Sequence, residues 1–138
     1  MKEKIIRFGV SMEKKLLEKF DRFLKKNGYK NRSEGIRDLI RKTLVEQEWE
    51  KGKYVAGSIN LVYNHHKRDL VLKIMDIQHH FHNNVISTQH IHMDEENCFE
   101  IIVVKGKAEK ITILYNYLKA LKGVKYSSLS KATTGKKI

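Results

Sequence analysis

A single cysteine, Cys98, stands among the 138 residues. No internal disulfide can form, and a lone thiol fits a reducing compartment. No apolar run reaches the ~18 residues of a membrane-spanning helix. The opening M-K-E-K-I-I-R-F has neither the long apolar core nor the small-residue cleavage site of a secretory signal. The expectation is a cytoplasmic protein. Internal repeats and low-complexity tracts are missing too. Acidic residues are scarce, 16 against 28 Lys and Arg, and the net charge of +12 divides into +6 over residues 1–52 and +6 over 53–138. Such a surplus invites polyanions such as DNA, RNA or acidic membranes. With 41% hydrophobic and 32% charged residues the chain is globular rather than disordered, with room for one ordinary domain or two small ones.

What is present is concentrated. All seven histidines lie between His65 and His92, and Cys98 follows six residues later. Inside this stretch is the spacing H-x10-H-x-H-x5-C, formed by His79, His90, His92 and Cys98. The run V-I-S-T-Q-H-I-H predicts a β-strand, on which His90 and His92, two apart, point to one face. After the turn-like D-E-E-N a second strand can return the Cys98 thiolate to the same place. Imidazole and thiolate together suit a transition metal. Three nitrogens and one sulfur admit tetrahedral zinc or a planar Ni(II) or Cu(II) site, and the spacing leaves the choice open.

The first fifty residues point elsewhere. Ile6, Phe8 and Val10 alternate with Arg7, Gly9 and Ser11, which predicts a half-buried strand over residues 5–11. Ser11 offers an N-cap to a helix carrying Leu16, Leu17, Phe20, Phe23 and Leu24, ended by Asn27-Gly28. A second helix opens at N-R-S-E, where Asn31 can cap and Glu34 can reach back, and carries Ile36, Leu39, Ile40 and Leu44. A lone strand has no sheet partner nearby, and two short helices are too small for a core. Two copies pairing their strands and interlocking their helices solve both problems. That is the ribbon–helix–helix arrangement, whose two-stranded ribbon enters the major groove of DNA. Arg7, Gly9 and Ser11 then face base edges, with Arg7 the candidate for guanine. Asn31, Arg32 and Ser33, at the start of the second helix, can hold a phosphate.

Around E-W-E-K-G-K (48–53) helical periodicity stops and Gly52 breaks the chain. Beyond it, strands are expected over 55–63, 85–93, 97–104 and 124–130. Helices are expected over 67–80 and from Lys105-Gly106 through Leu121. The order β-α-β-β-α-β is the split ferredoxin-like unit. The fold class is α+β, with one domain over residues 1–50 and another over 53–133. The final T-T-G-K-K-I reads as a loose tail.

In this order the chain resembles the nickel-responsive regulators of the NikR family over nearly its whole length. The resemblance rests on G-Y-K-N-R-S-E-G-I-R-D (28–38), H-K-R-D-L (66–70), Q-H-H-F-H (78–82), H-I-H-M (90–93), N-C-F-E (97–100) and V-V-K-G (103–106). It implies an ACT-type second domain, a homotetramer built as a dimer of dimers, and Ni(II)-dependent repression of nickel-uptake genes through double-stranded operator DNA, with no membrane partner and no enzyme activity. It implies one Ni(II) per subunit, held in a square plane by His90, His92 and Cys98 of one subunit and His79 of a neighbour. Gln78 and Glu100 resemble groups that orient those ligands, and Lys67 and Arg68 resemble contacts to the DNA backbone. Glu34 and Asp38 resemble a secondary cation site, and His65, His80 and His82 resemble weaker metal positions. The chain departs at Gly9, where relatives usually carry a hydroxyl residue.

Other classes compete. A ribbon–helix–helix regulator of copper or cobalt would use the same donors, and a metal-buffering protein would need no DNA. A zinc hydrolase fits poorly, because four protein ligands close the coordination position that catalysis needs.

Overall fold

The computed structural model describes residues 2–138. Eight elements follow one another: α1 (Lys14–Lys26), α2 (Arg32–Glu50), β1 (Tyr54–Asn64), α3 (Arg68–His80), β2 (Val85–His92), β3 (Asn97–Lys107), α4 (Ala108–Lys119) and β4 (Val124–Lys131). Two compact units divide at Ile40/Arg41, so the last part of α2 belongs to the second unit.

In the first unit, Met1–Ile40, residues 2–13 form neither helix nor strand. The strand expected over 5–11 is therefore not made in the single chain, because its backbone groups need a partner strand and the described residues of this unit form no other strand. The apolar alternation remains, and Ile6, Phe8 and Val10 are 77%, 71% and 61% exposed. Ser11 does not cap α1. The helix starts two residues later than that cap requires, behind Glu13, whose carbonyl accepts from the Leu16 and Leu17 N–H groups and whose side chain makes no cap bond. Gly28 ends the turn after α1 at φ 76, a left-handed backbone that a Cβ would strain. Asn31 does cap α2, its Oδ1 accepting from the Glu34 N–H at 2.9 Å. Glu34 reaches back one residue further than expected, to the Lys30 N–H. Buried Leu24 of α1 lies against Gly35 of α2, where any Cβ would collide with the leucine methyl.

The second unit is a four-stranded antiparallel sheet in the order β2-β3-β1-β4. Strict alternation along β1 buries Val55, Gly57, Ile59, Leu61 and Tyr63 on one face. The β1–β3 register sets Ile102 against Ile59 and Glu100 against Leu61 on that same face. Leu70 and Ile74 of α3, with Ile111, Leu114 and Leu118 of α4, complete the core over it. Truncating one of these to alanine costs roughly 2–5 kcal/mol. The helix expected to open at Lys105-Gly106 begins instead at Ala108. Gly106 pairs with Val55 and Lys107 with Tyr54, so β3 runs on to the end of β1 before the chain turns. At the other end of the chain order, Trp49 in the last turn of α2 joins this core and donates to the Ala132 carbonyl at 2.9 Å.

Candidate metal centre

The β2–β3 hairpin carries three of the candidate donors, His90, His92 and Cys98. Its tip is tied by Asp94, whose Oδ1 accepts from the Glu96 and Asn97 N–H groups at 2.9 and 2.8 Å. The Asn97 side chain, followed by those backbone donors, holds the Asp94 carboxyl below its usual range. With the turn fixed, His92 faces Cys98 and His90 faces Glu100 across the strands, while Tyr63 of β1 faces Cys98 from the other side. Strand parity places all five on the helix-covered face at one end of the sheet.

Cys98 and Glu100 are buried, and His90 is about half exposed, its side chain 46% accessible. The Nδ1 of His90 lies 3.8 Å from the Cys98 Sγ and 2.9 Å from the Glu100 Oε1. The same Oε1 accepts from the Tyr63 hydroxyl at 2.8 Å, and Oε2 accepts from the Gln78 amide at 2.6 Å. A fully buried carboxylate is costly without such partners; three donors satisfy this one. Burial first, and then the Glu100 carboxylate, push the Tyr63 phenol far above its usual range. It therefore stays protonated and donates. Gln78 and Glu100 were expected from sequence as orienting groups and are joined directly; Tyr63 was not expected. Its signal was present in the inward parity of β1, but reading it required the β1–β3 register.

His92 sits on the exposed edge strand with its ring stacked on His65, centroids 4.5 Å apart and planes within 4°. His65 also packs on His66, and its buried Nδ1 has no hydrogen-bond partner. Desolvation first, then the charges of His66 and His92, push the His65 imidazole below its usual range, so it is held neutral. His66 donates from Nε2 to the Glu95 carbonyl at 2.8 Å. His79, in the last turn of α3, is exposed and neighbours only His82 among the histidine rings, 6.1 Å between centroids. Among the described residues no group of three or more His, Cys, Asp or Glu side chains is placed to hold a metal ion within one chain. His90 and Cys98 meet, His92 stands in register beside them with its ring stacked on His65, and the His79 ring lies by His82. The donors themselves, a buried thiol against an imidazole backed by a buried carboxylate, fit a borderline transition metal.

The other candidates lie as follows. Arg7, Gly9 and Ser11 are exposed in the segment before α1. Arg7 and Ser11 line a 930 Å³ groove with Arg32, Ser33 and the apolar residues Phe8 and Ile36. Asn31 and Arg32 are exposed at the head of α2, and Lys67 and Arg68 are exposed at the head of α3. Asp38 accepts a hydrogen bond from the Tyr29 hydroxyl. Glu34, one turn before it, is engaged by the Lys30 N–H.

Comparison with known proteins finds two family models along the chain. Residues 6–47 match the family model described as "Ribbon-helix-helix protein, copG family", and residues 56–132 match "NikR C terminal nickel binding domain". A ribbon–helix–helix domain followed by a nickel-binding domain defines a transcriptional regulator rather than an enzyme. Curated relatives carry the name "Putative nickel-responsive regulator". One from Syntrophus aciditrophicus is 55% identical over 131 residues, covering 95% of this chain and 96% of its own. One from Pyrococcus furiosus is 53% identical over 135 residues, covering 97% and 98%. The chain belongs to the nickel-responsive regulator family. Among solved structures, the uncharacterized protein TM1266 from Thermotoga maritima aligns with a TM-score of 0.51 at 15% identity, over 56% of this chain and 95% of its own. That likeness concerns the fold alone. No helix among the described residues is long and apolar enough to cross a membrane.

Proposed function

We propose that this protein is a cytoplasmic repressor that grips operator DNA when Ni(II) is bound and so silences nickel-uptake genes. The carrying observation is the contact between buried Cys98 and His90 beside Glu100, on a chain whose first domain matches a ribbon–helix–helix model. His90, His92 and Cys98 of one subunit hold the ion, and His79 comes from a neighbouring subunit. The exposure of His79, near the end of α3, supports supply in trans. One Ni(II) per subunit in a homotetramer, a dimer of dimers, satisfies this arithmetic. The ACT-type domain over 53–133 carries the metal and the tetramer contacts, and the domain over 1–50 carries DNA.

Within the site, Glu100 takes the proton-bearing Nδ1 of His90 and the amide of Gln78, the residue beside His79. It therefore orients ligands on both β2 and α3. When bound, nickel supplies a cross-link between subunits. His92 must leave or tilt its stack on His65 to join, which ties the loop before Lys67 and Arg68 to the site. Those two side chains then meet the DNA backbone, Asn31 and Arg32 hold phosphate, and Arg7, Gly9 and Ser11 face base edges. Gly9, with open space around its Cα, brings no side chain to the bases. Glu34 and Asp38 form the secondary cation site. Tightening on DNA requires that nickel favour the DNA-competent state.

Complementation tests the reading. His79→Ala and Cys98→Ala each abolish nickel-dependent footprinting on the upstream regions of transport genes. Co-assembled, the two variants regain sites that pair the Cys98 of one with the His79 of the other. Failure of the mixture to recover any nickel binding excludes a shared site. A thiolate-to-metal absorption band for copper or cobalt at lower free-metal concentration than for nickel points to another inducer.

A further inference from the structure

Away from the metal centre, one ion pair has geometry that a solvated surface does not require. Arg32 heads α2, and Asp21 lies on α1. The guanidinium meets the carboxylate side by side: Nε donates to Oδ1 at 2.9 Å and Nη2 to Oδ2 at 2.9 Å. The side chains stay 57% and 44% exposed, so packing does not force them together. Exposed ion pairs usually contribute little, and two-point arginine–carboxylate pairing is the exception. The pairing is mutual. The hydrogen bond from Arg32 holds the Asp21 carboxyl below its usual range and pushes the guanidinium further up. Two of the five N–H groups are engaged, which leaves the Nη1 pair and one Nη2 hydrogen for another acceptor. Arg32 lines the same groove as Arg7, Ser11 and Ser33.

We infer that Asp21 is a specificity-determining positioning residue: it aims the unused edge of Arg32 at one DNA phosphate and cancels much of the charge that Arg32 would otherwise offer to any polyanion. The inference rests on the reading of Arg32 as a phosphate contact. A free arginine attracts every phosphate within reach, and the counterions released make that attraction independent of sequence. An arginine tethered to a carboxylate is a directed donor with little net charge. It contributes where the ribbon sits in register and the backbone arrives in the right place. Elsewhere it adds little, so Asp21 lowers non-specific binding more than it lowers binding to the operator.

The test uses the nickel-loaded full chain, the footprinted duplex and a scrambled duplex of equal length, with affinities measured across a range of salt concentrations. Asp21→Asn keeps the shape and one acceptor but removes the charge. It is expected to bind the scrambled duplex about ten-fold more tightly. The slope of log K against log salt should steepen by about 0.9 for each Arg32 that touches DNA. The preference for the footprinted duplex falls accordingly. In an Arg32→Gln background the same substitution is silent. If Arg32→Gln weakens binding while Asp21→Asn keeps the wild-type slope and preference, the inference is overturned and the phosphate role of Arg32 stands. If Arg32→Gln itself leaves affinity and slope unchanged, both fall.

Discussion

Replacing Tyr63 with phenylalanine removes one oxygen and nothing else from the base of the metal centre. The ring continues to fill its place between β1 and β3, so no cavity opens. Glu100 Oε1 then loses its 2.8 Å donor in a position where Glu100 has no exposure and water cannot substitute. A hydrogen bond to a charged group contributes ~1.5–3 kcal/mol, and the metal-free protein should lose stability in that range. The second effect falls on metal. With one donor fewer, Glu100 holds His90 less firmly, and loss of an orienting partner typically weakens binding by ~10–100-fold. Nickel affinity is read by competition with a chelator, and stability by urea unfolding of the metal-free chain. A stability loss with wild-type nickel affinity would refute the link from Tyr63 through Glu100 to His90. No change in either measurement would refute the hydrogen bond itself.

Other outcomes follow from different parts of the chain. Phe8→Glu places a charge on the apolar face of residues 6–10; DNA binding should be lost while nickel still binds the second domain, and retained footprinting would mean the segment does not pair. Arg7→Ala should cost ~1–3 kcal/mol of discrimination between bases and little total affinity; a uniform loss over all sequences would assign Arg7 to phosphate. Asp94 has a folded-state pKa depressed below 3.8, so its contribution is present above that value and lost as pH falls through the depressed one. Asp94→Ala should therefore lower stability at neutral pH and flatten the acid limb of stability against pH, as urea midpoints will show; parallel acid limbs for both proteins would sink the assignment.

Elements with their own period were legible in the sequence. The strands over 55–63, 85–93 and 97–104 are read from their own stretches of sequence, and the His-x-His parity on β2 is local. Whatever depended on pairing between distant segments was not. Lys105-Gly106 looks like a helix start until Gly106 is seen opposite Val55, 51 positions earlier in the chain. Tyr63 and Glu100 are far apart in sequence and meet only through the β1–β3 register. The Asp21–Arg32 pair joins two helices whose stripes give no hint of it. Ser11 failed as a cap for a local reason: the extended segment persists through Glu13. The candidate donors His79, His90, His92 and Cys98 were visible as a set in the sequence, yet the single chain brings only His90 and Cys98 into contact.

The bare apolar edge of residues 6–10 has a consequence for the living cell. In the proposed ribbon arrangement it stays unsatisfied until a second copy of the chain covers it. Copy number would then become an input alongside nickel. Under the proposed function, dilution by growth or scarce expression would loosen the grip on a promoter at constant metal supply.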